Sequence, residues 1–163
     1  MVDFGALMKS GNRTVEIDLE LIFEQLPKSN RINDLYSSQA AILRQWFTTF
    51  RDNRDIALEL NTGGGKTLVG LLIALSTMRE MNEGVLYLVE NKQLVDQVVS
   101  QAKELSIPAV PYNGKASISA DFDNGEVILV GSYKALFNGL SAFGIKGSID
   151  TQAIGGVIVD DAH

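Results

Sequence analysis

Residues 61–67 read Asn61-Thr62-Gly63-Gly64-Gly65-Lys66-Thr67, and this run constrains the fold more than any other part of the chain. An apolar stretch, Ile56-Ala57-Leu58-Glu59-Leu60, precedes it, and a second, Leu68 to Met78, follows it. That order predicts strand, glycine turn and helix, the context in which a glycine-rich run cradles phosphate. Glycines at 63, 64 and 65 let successive backbone N–H groups point into one concavity with no Cβ in the way. The helix expected to open at Lys66 adds the positive end of its dipole at the same place. With Thr62 and the three glycines as the cradle, Lys66 is expected to reach the β and γ phosphates and the Thr67 hydroxyl to ligate Mg²⁺. The simpler reading is a flexible turn between a strand and a buried helix, and the Gly-Lys-Thr ending in this context argues against it.

At 163 residues the chain is long enough for one domain with a substantial core and too short for two of ordinary size. A hydrophobic fraction of 45% and a charged fraction of 21% are those of an ordinary globular chain. With no cysteine, disulfides and thiolate chemistry are excluded, and the composition fits a reducing cytoplasm. Met1-Val2-Asp3-Phe4-Gly5 lacks the pattern of a signal peptide, and the longest uncharged apolar run, Leu68 to Met78, is too short to span a bilayer. The net charge of −6 argues against strong unaided nucleic-acid binding, without excluding contact through a few local groups.

Periodicity outlines the rest. Asp18 is placed to cap a helix whose face is Leu19, Ile22, Phe23 and Leu26, stopped by Pro27. A polar link, Lys28 to Asp34, leads to a second amphipathic helix with Ile42, Leu43, Trp46, Phe47 and Phe50 on one face and Ser37 or Ser38 as its cap. After the glycine loop and its helix, Gly84 to Val89 is a near-continuous apolar run, as expected of a parallel strand covered on both faces. A helix follows from Asn91, then a short strand Ala109-Val110-Pro111-Tyr112, a turn at Asp123-Asn124-Gly125, strand Val127 to Val130, a short helix from Ser132 and strand Gly156 to Val159. Strands alternating with helices predict an α/β fold with a mostly parallel sheet and helices on both faces.

Asp160-Asp161-Ala162-His163 follows the last strand directly. Ligands of open α/β sheets bind at the carboxyl ends of the strands, so these two carboxylates are expected to face the crevice that holds the glycine loop. Standing alone they read equally well as a solvated acidic strand end.

The loop form Thr-Gly-x-Gly-Lys-Thr, with Leu60 where other phosphate loops carry a leading glycine, resembles that of superfamily 2 helicases and translocases of the DEAD/DEAH type. The Asp-Asp-Ala-His run resembles their Asp-Glu-Ala-His motif, 94 positions beyond Lys66. The resemblance covers residues 35–163 and implies the first RecA-like, ATP-binding motor domain, with residues 1–34 a lead segment carrying one helix. By that resemblance Asp160 holds Mg²⁺ through water and Asp161 polarises the attacking water, one methylene shorter than the usual glutamate. Lys66, Asp160 and Asp161 are then the catalytic set. Gln39 matches in order and spacing the glutamine that reads the adenine edge, with Tyr36 beside it. An amide suits adenine because it donates and accepts at once. Val89-Glu90-Asn91-Lys92-Gln93-Leu94 and Gly131-Ser132-Tyr133-Lys134-Ala135-Leu136 resemble the two motifs that touch the nucleic-acid backbone, through Asn91, Lys92, Ser132 and Lys134. His163 is implied to couple nucleotide state to other elements.

The implied parent protein uses ATP and Mg²⁺ to move on DNA or RNA, with DNA favoured. It also carries a second RecA-like domain supplying an arginine finger, so the present chain is expected to hydrolyse ATP poorly on its own. Two alternatives stay open: another phosphate-loop phosphotransferase, for which no acceptor site is visible, and a nucleotide-gated interaction module in which Asp161 marks weakened catalysis.

Overall fold

The computed structural model describes residues 15–27, 32–114, 118–138, 141–143 and 153–160. In chain order its elements are α1 (Leu19–Gln25), α2 (Ser37–Gln45) continued by a π turn (Trp46–Phe50), α3 (Lys66–Met81), β1 (Val85–Val89), α4 (Lys92–Glu104), β2 (Ala109–Tyr112), α5 (Ala120–Asp123), β3 (Ile128–Ser132), α6 (Tyr133–Leu136) and β4 (Gly156–Val159). The four strands form one sheet in the order β2-β3-β1-β4, every pair parallel. Val85 stands level with both Ile128 and Gly156, so the carboxyl ends of β1, β3 and β4 share one edge.

β1 is central, and all five of its residues are buried. A strand covered on both faces has no reason to alternate, which is why it reads as a continuous apolar run. Val85, Tyr87 and Val89 face the main core, built with α1, α2, α3 and α4. Leu86 and Leu88 face a smaller cluster with Tyr112, Phe122, Leu129 and Leu136. Both faces of β1 are therefore covered, but the second unequally: among the described residues it carries only the four-residue helices α5 and α6, and at β4 Val157 and Val159, level with Leu86 and Leu88, are exposed.

α3 is the central helix. Leu71, Leu72 and Ala74 are wholly buried, and with no charge between Thr67 and Met78 the helix is apolar nearly all round, as a helix packed on several sides must be. Burying each such leucine contributes roughly 1.5–3 kcal/mol. The helix ends at Asn82, held in the left-handed conformation at φ 53°, which asparagine tolerates. α1 lies on α3 and contributes Leu19, Ile22 and Phe23 to the same core. The strand of chain before it is tied to α3 by Ser76 Oγ donating to the Ile17 carbonyl at 2.5 Å and Arg79 Nη1 donating to the Glu16 carbonyl at 3.0 Å. The Asp18 cap is as expected, its Oδ1 accepting the Glu20 and Leu21 amides at 3.0 and 3.2 Å.

Two expectations need correction. Ile56–Leu60 is not a strand: it takes no sheet partner among the described residues, and Leu58 is exposed. Apolar composition favours a strand only where a neighbour supplies the other half of the ladder, and among the described residues β4 ends the sheet. The cap of α2 is Tyr36 rather than Ser37 or Ser38, because Gln39 reaches back to accept the Tyr36 amide at 2.9 Å. The turn falls at Asn124-Gly125 as expected, and a short helix that was not expected, α5, precedes it and buries Phe122 under the second face.

Candidate nucleotide site

The glycine loop bends as its sequence requires. Gly63 and Gly65 have φ of 79° and 73°, a region costly for residues with a Cβ. Gly64 donates its amide to the Asn61 carbonyl at 2.9 Å, and a Cβ on Gly64 would lie 2.9 Å from that same oxygen. All three glycines are thus needed for the shape. α3 opens at Lys66, placing the helix amides that lack intrahelical acceptors beside the loop. Thr62 and Gly63 are exposed, while Gly64, Gly65, Lys66 and Thr67 are half-buried.

Asp160 follows β4, its amide bonded to the Leu88 carbonyl at 2.9 Å so that it continues the strand pairing by one residue. Its Oδ2 accepts from Tyr87 Oη at 2.7 Å and lies 3.4 Å from Thr67 Oγ1. Thr67 and Asp160, 93 positions apart in sequence, also line a pocket of about 110 Å³ with Val89, Leu94, Gln97, Val98 and Gln101. The hydroxyl and carboxylate expected to share an ion therefore do converge. One carboxylate and one hydroxyl fit Mg²⁺, which keeps waters and takes phosphate oxygens rather than a full protein cage. Among the described residues no three acidic or imidazole side chains gather anywhere, at this site included. Asp161 and His163 lie outside the described residues.

Gln39 is brought to the loop. It is 2% exposed, and its Nε2 donates to the Gly64 carbonyl at 2.9 Å while its Oε1 accepts from the Tyr36 amide. One donor hydrogen and one acceptor lone pair of the amide are thus spent on these two bonds. Tyr36 is 65% exposed, an uncovered ring beside the loop's anchor. The bond from Gln39 to Gly64 spans 25 positions and has no signature in the sequence.

The remaining expected positions cluster on the same edge. Asn91 Oδ1 accepts the Leu94 amide at 3.0 Å and caps α4, and Ser132 Oγ accepts the Ala135 amide at 3.2 Å and caps α6. Both are structural caps first. They stand at the ends of β1 and β3, where Val89 pairs with Ser132, so Lys92 and Lys134, both exposed, project from neighbouring helix starts. Tyr87, Tyr133 and Gln97 were not singled out by sequence. Tyr133 Oη donates to the Asp160 carbonyl at 3.2 Å.

A parallel sheet with a Gly-Lys-Thr loop opening a central helix at its carboxyl edge defines the RecA-like class of α/β domain. The family model for the DEAD/DEAH box helicase matches residues 36–163, most of the chain, and the chain belongs to that family. No curated protein and no solved structure matches it.

Proposed function

We propose that this chain is the first motor domain of an ATP-dependent helicase or translocase, binding MgATP between the loop at 62–67 and Asp160. The observation that carries the reading is the 3.4 Å approach of Thr67 Oγ1 to Asp160 Oδ2 beside the glycine loop. It joins the hydroxyl and the carboxylate that a nucleotide-bound Mg²⁺ requires. Mg²⁺ when bound would neutralise phosphate charge; the chain's own residues do the rest. The loop amides and Lys66 hold phosphate oxygens. Gln39 anchors the loop through Gly64 and offers its remaining donor and acceptor to adenine, with Tyr36 against the base. Asp161 is assigned the polarisation of the attacking water.

Asn91, Lys92, Ser132 and Lys134 are assigned to the nucleic-acid backbone, because two capped helix starts and two lysines lie side by side at one sheet edge. The local charge there is compatible with an acidic chain overall. DNA is favoured over RNA, and a second RecA-like domain of the parent chain completes the transition-state charge. A cytoplasmic location accords with the lack of cysteine. No helix among the described residues is long and apolar enough to cross a membrane.

ATP turnover by the full-length parent, with and without DNA or RNA, tests this. A motor is stimulated by nucleic acid; turnover that needs an acceptor metabolite, or binding with no turnover, contradicts it.

A further inference from the structure

Asp160 is held by more than its strand. Tyr87, in the middle of β1, is wholly buried, and its hydroxyl donates to Asp160 Oδ2 at 2.7 Å. Tyr87 stands level with Ile158, two residues short of Asp160. That is about 6–7 Å along the sheet, a span that needs a side chain as long as tyrosine. The ring reaches it by passing over α3 at Gly70. A Cβ on Gly70 would lie 2.7 Å from the Tyr87 hydroxyl oxygen and 2.9 and 3.1 Å from two ring carbons. The helix that carries Lys66 and Thr67 therefore carries a glycine at the one point where the ring crosses it.

We propose that Tyr87 is a positioning residue for the magnesium-nucleotide site, fixing the rotation of the Asp160 carboxylate through Oδ2, and that Gly70 is the space that permits it. The proposal rests on the reading of Thr67 and Asp160 as the holders of Mg²⁺. The Thr67 contact to Oδ2 is the longer of the two, at 3.4 Å, and leaves the carboxylate only loosely held from that side. The Tyr87 bond, shorter and made to a charged oxygen, then keeps the carboxylate in place. A tyrosine serving only the core needs no partner whose charge matters to a ligand. Its loss would alter stability and leave the metal dependence of binding untouched.

The test is calorimetric titration of this chain with ADP in excess Mg²⁺ and again in EDTA, for the wild type, Tyr87→Phe, Gly70→Ala and Asp160→Asn. Tyr87→Phe removes one oxygen and keeps the ring, so it is expected to fold and to bind ADP in EDTA as the wild type does. In Mg²⁺ it should lose affinity about tenfold, as for a lost hydrogen bond to a charged group. Gly70→Ala displaces the same ring from the other side and should lose the same metal-dependent gain. The two changes combined should cost no more than the larger alone, since they remove one interaction. Tyr87→Phe keeping the full gain while Asp160→Asn loses it overturns the role of Tyr87 and leaves the site standing. Asp160→Asn keeping the gain overturns the site, and the role of Tyr87 with it.

Discussion

Replacing Gln39 with alanine separates two things that one amide does. The side chain is 2% exposed and makes two hydrogen bonds within the chain, each of 2.9 Å: one ties the start of α2 at Tyr36 and one ties the phosphate loop at Gly64. At about 1 kcal/mol for each bond the folded chain should lose about 2 kcal/mol. The loop bond alone, worth about fivefold in an equilibrium, should weaken every nucleotide equally, because Gly64 belongs to the loop proposed to hold the phosphates, which all nucleotides share. The amide's remaining donor and acceptor, if they meet adenine, add a further loss of about fivefold or more for ATP and none for GTP. Competition of ATP and GTP against a labelled ADP, with thermal melting on the same samples, reads both. The expected result is a loss of about fivefold for GTP and about 25-fold for ATP. Equal losses refute the adenine contact and leave Gln39 as a loop anchor. Unchanged affinity for both refutes the anchoring as well.

Other substitutions probe other links. Gly64→Ala puts a Cβ 2.9 Å from the Asn61 carbonyl that closes the loop, so nucleotide affinity should fall at least about tenfold while the melting temperature moves little, by calorimetry and thermal melting. Asn91→Ala removes the cap of α4 and should cost about 1 kcal/mol in a denaturant titration, whether or not nucleic acid binds there. On the proposed reading, Asp161→Asn in the full-length protein should lower ATP turnover by about 10²-fold with binding nearly intact, and Asp161→Glu should raise it by restoring reach. Turnover unaffected by either change removes Asp161 from the chemistry.

Those residues whose environment leaves a local trace were legible in the sequence. β1 reads as a strand because both its faces are covered, and α4 because Val95, Val98 and Ala102 repeat along one buried face behind an asparagine cap. The loop was legible because only glycines fit positive φ at 63 and 65. What required the structure are pairings between distant positions. Ile56–Leu60 has the composition of a strand, but strand pairing is a property of two segments and the described sheet ends at β4. Ser37 and Ser38 have the residue type of a cap, yet they open α2 itself, and Gln39, three places beyond Tyr36, supplies the acceptor for the Tyr36 amide. The contact of Tyr87 with Asp160 spans 73 positions and depends on the register of β1 with β4 and on a glycine in α3. A tyrosine in an apolar run carries no local sign of such a partner.

The most direct test of the whole account is calorimetric titration of the chain with MgADP, wild type against Lys66→Ala. Lys66 is half-buried at the opening of α3 and is not among the buried residues, so the variant should keep its fold by circular dichroism. The account predicts that the wild type binds and that Lys66→Ala loses the phosphate-dependent affinity. Equal MgADP affinity in the two proteins would contradict a nucleotide site at this loop.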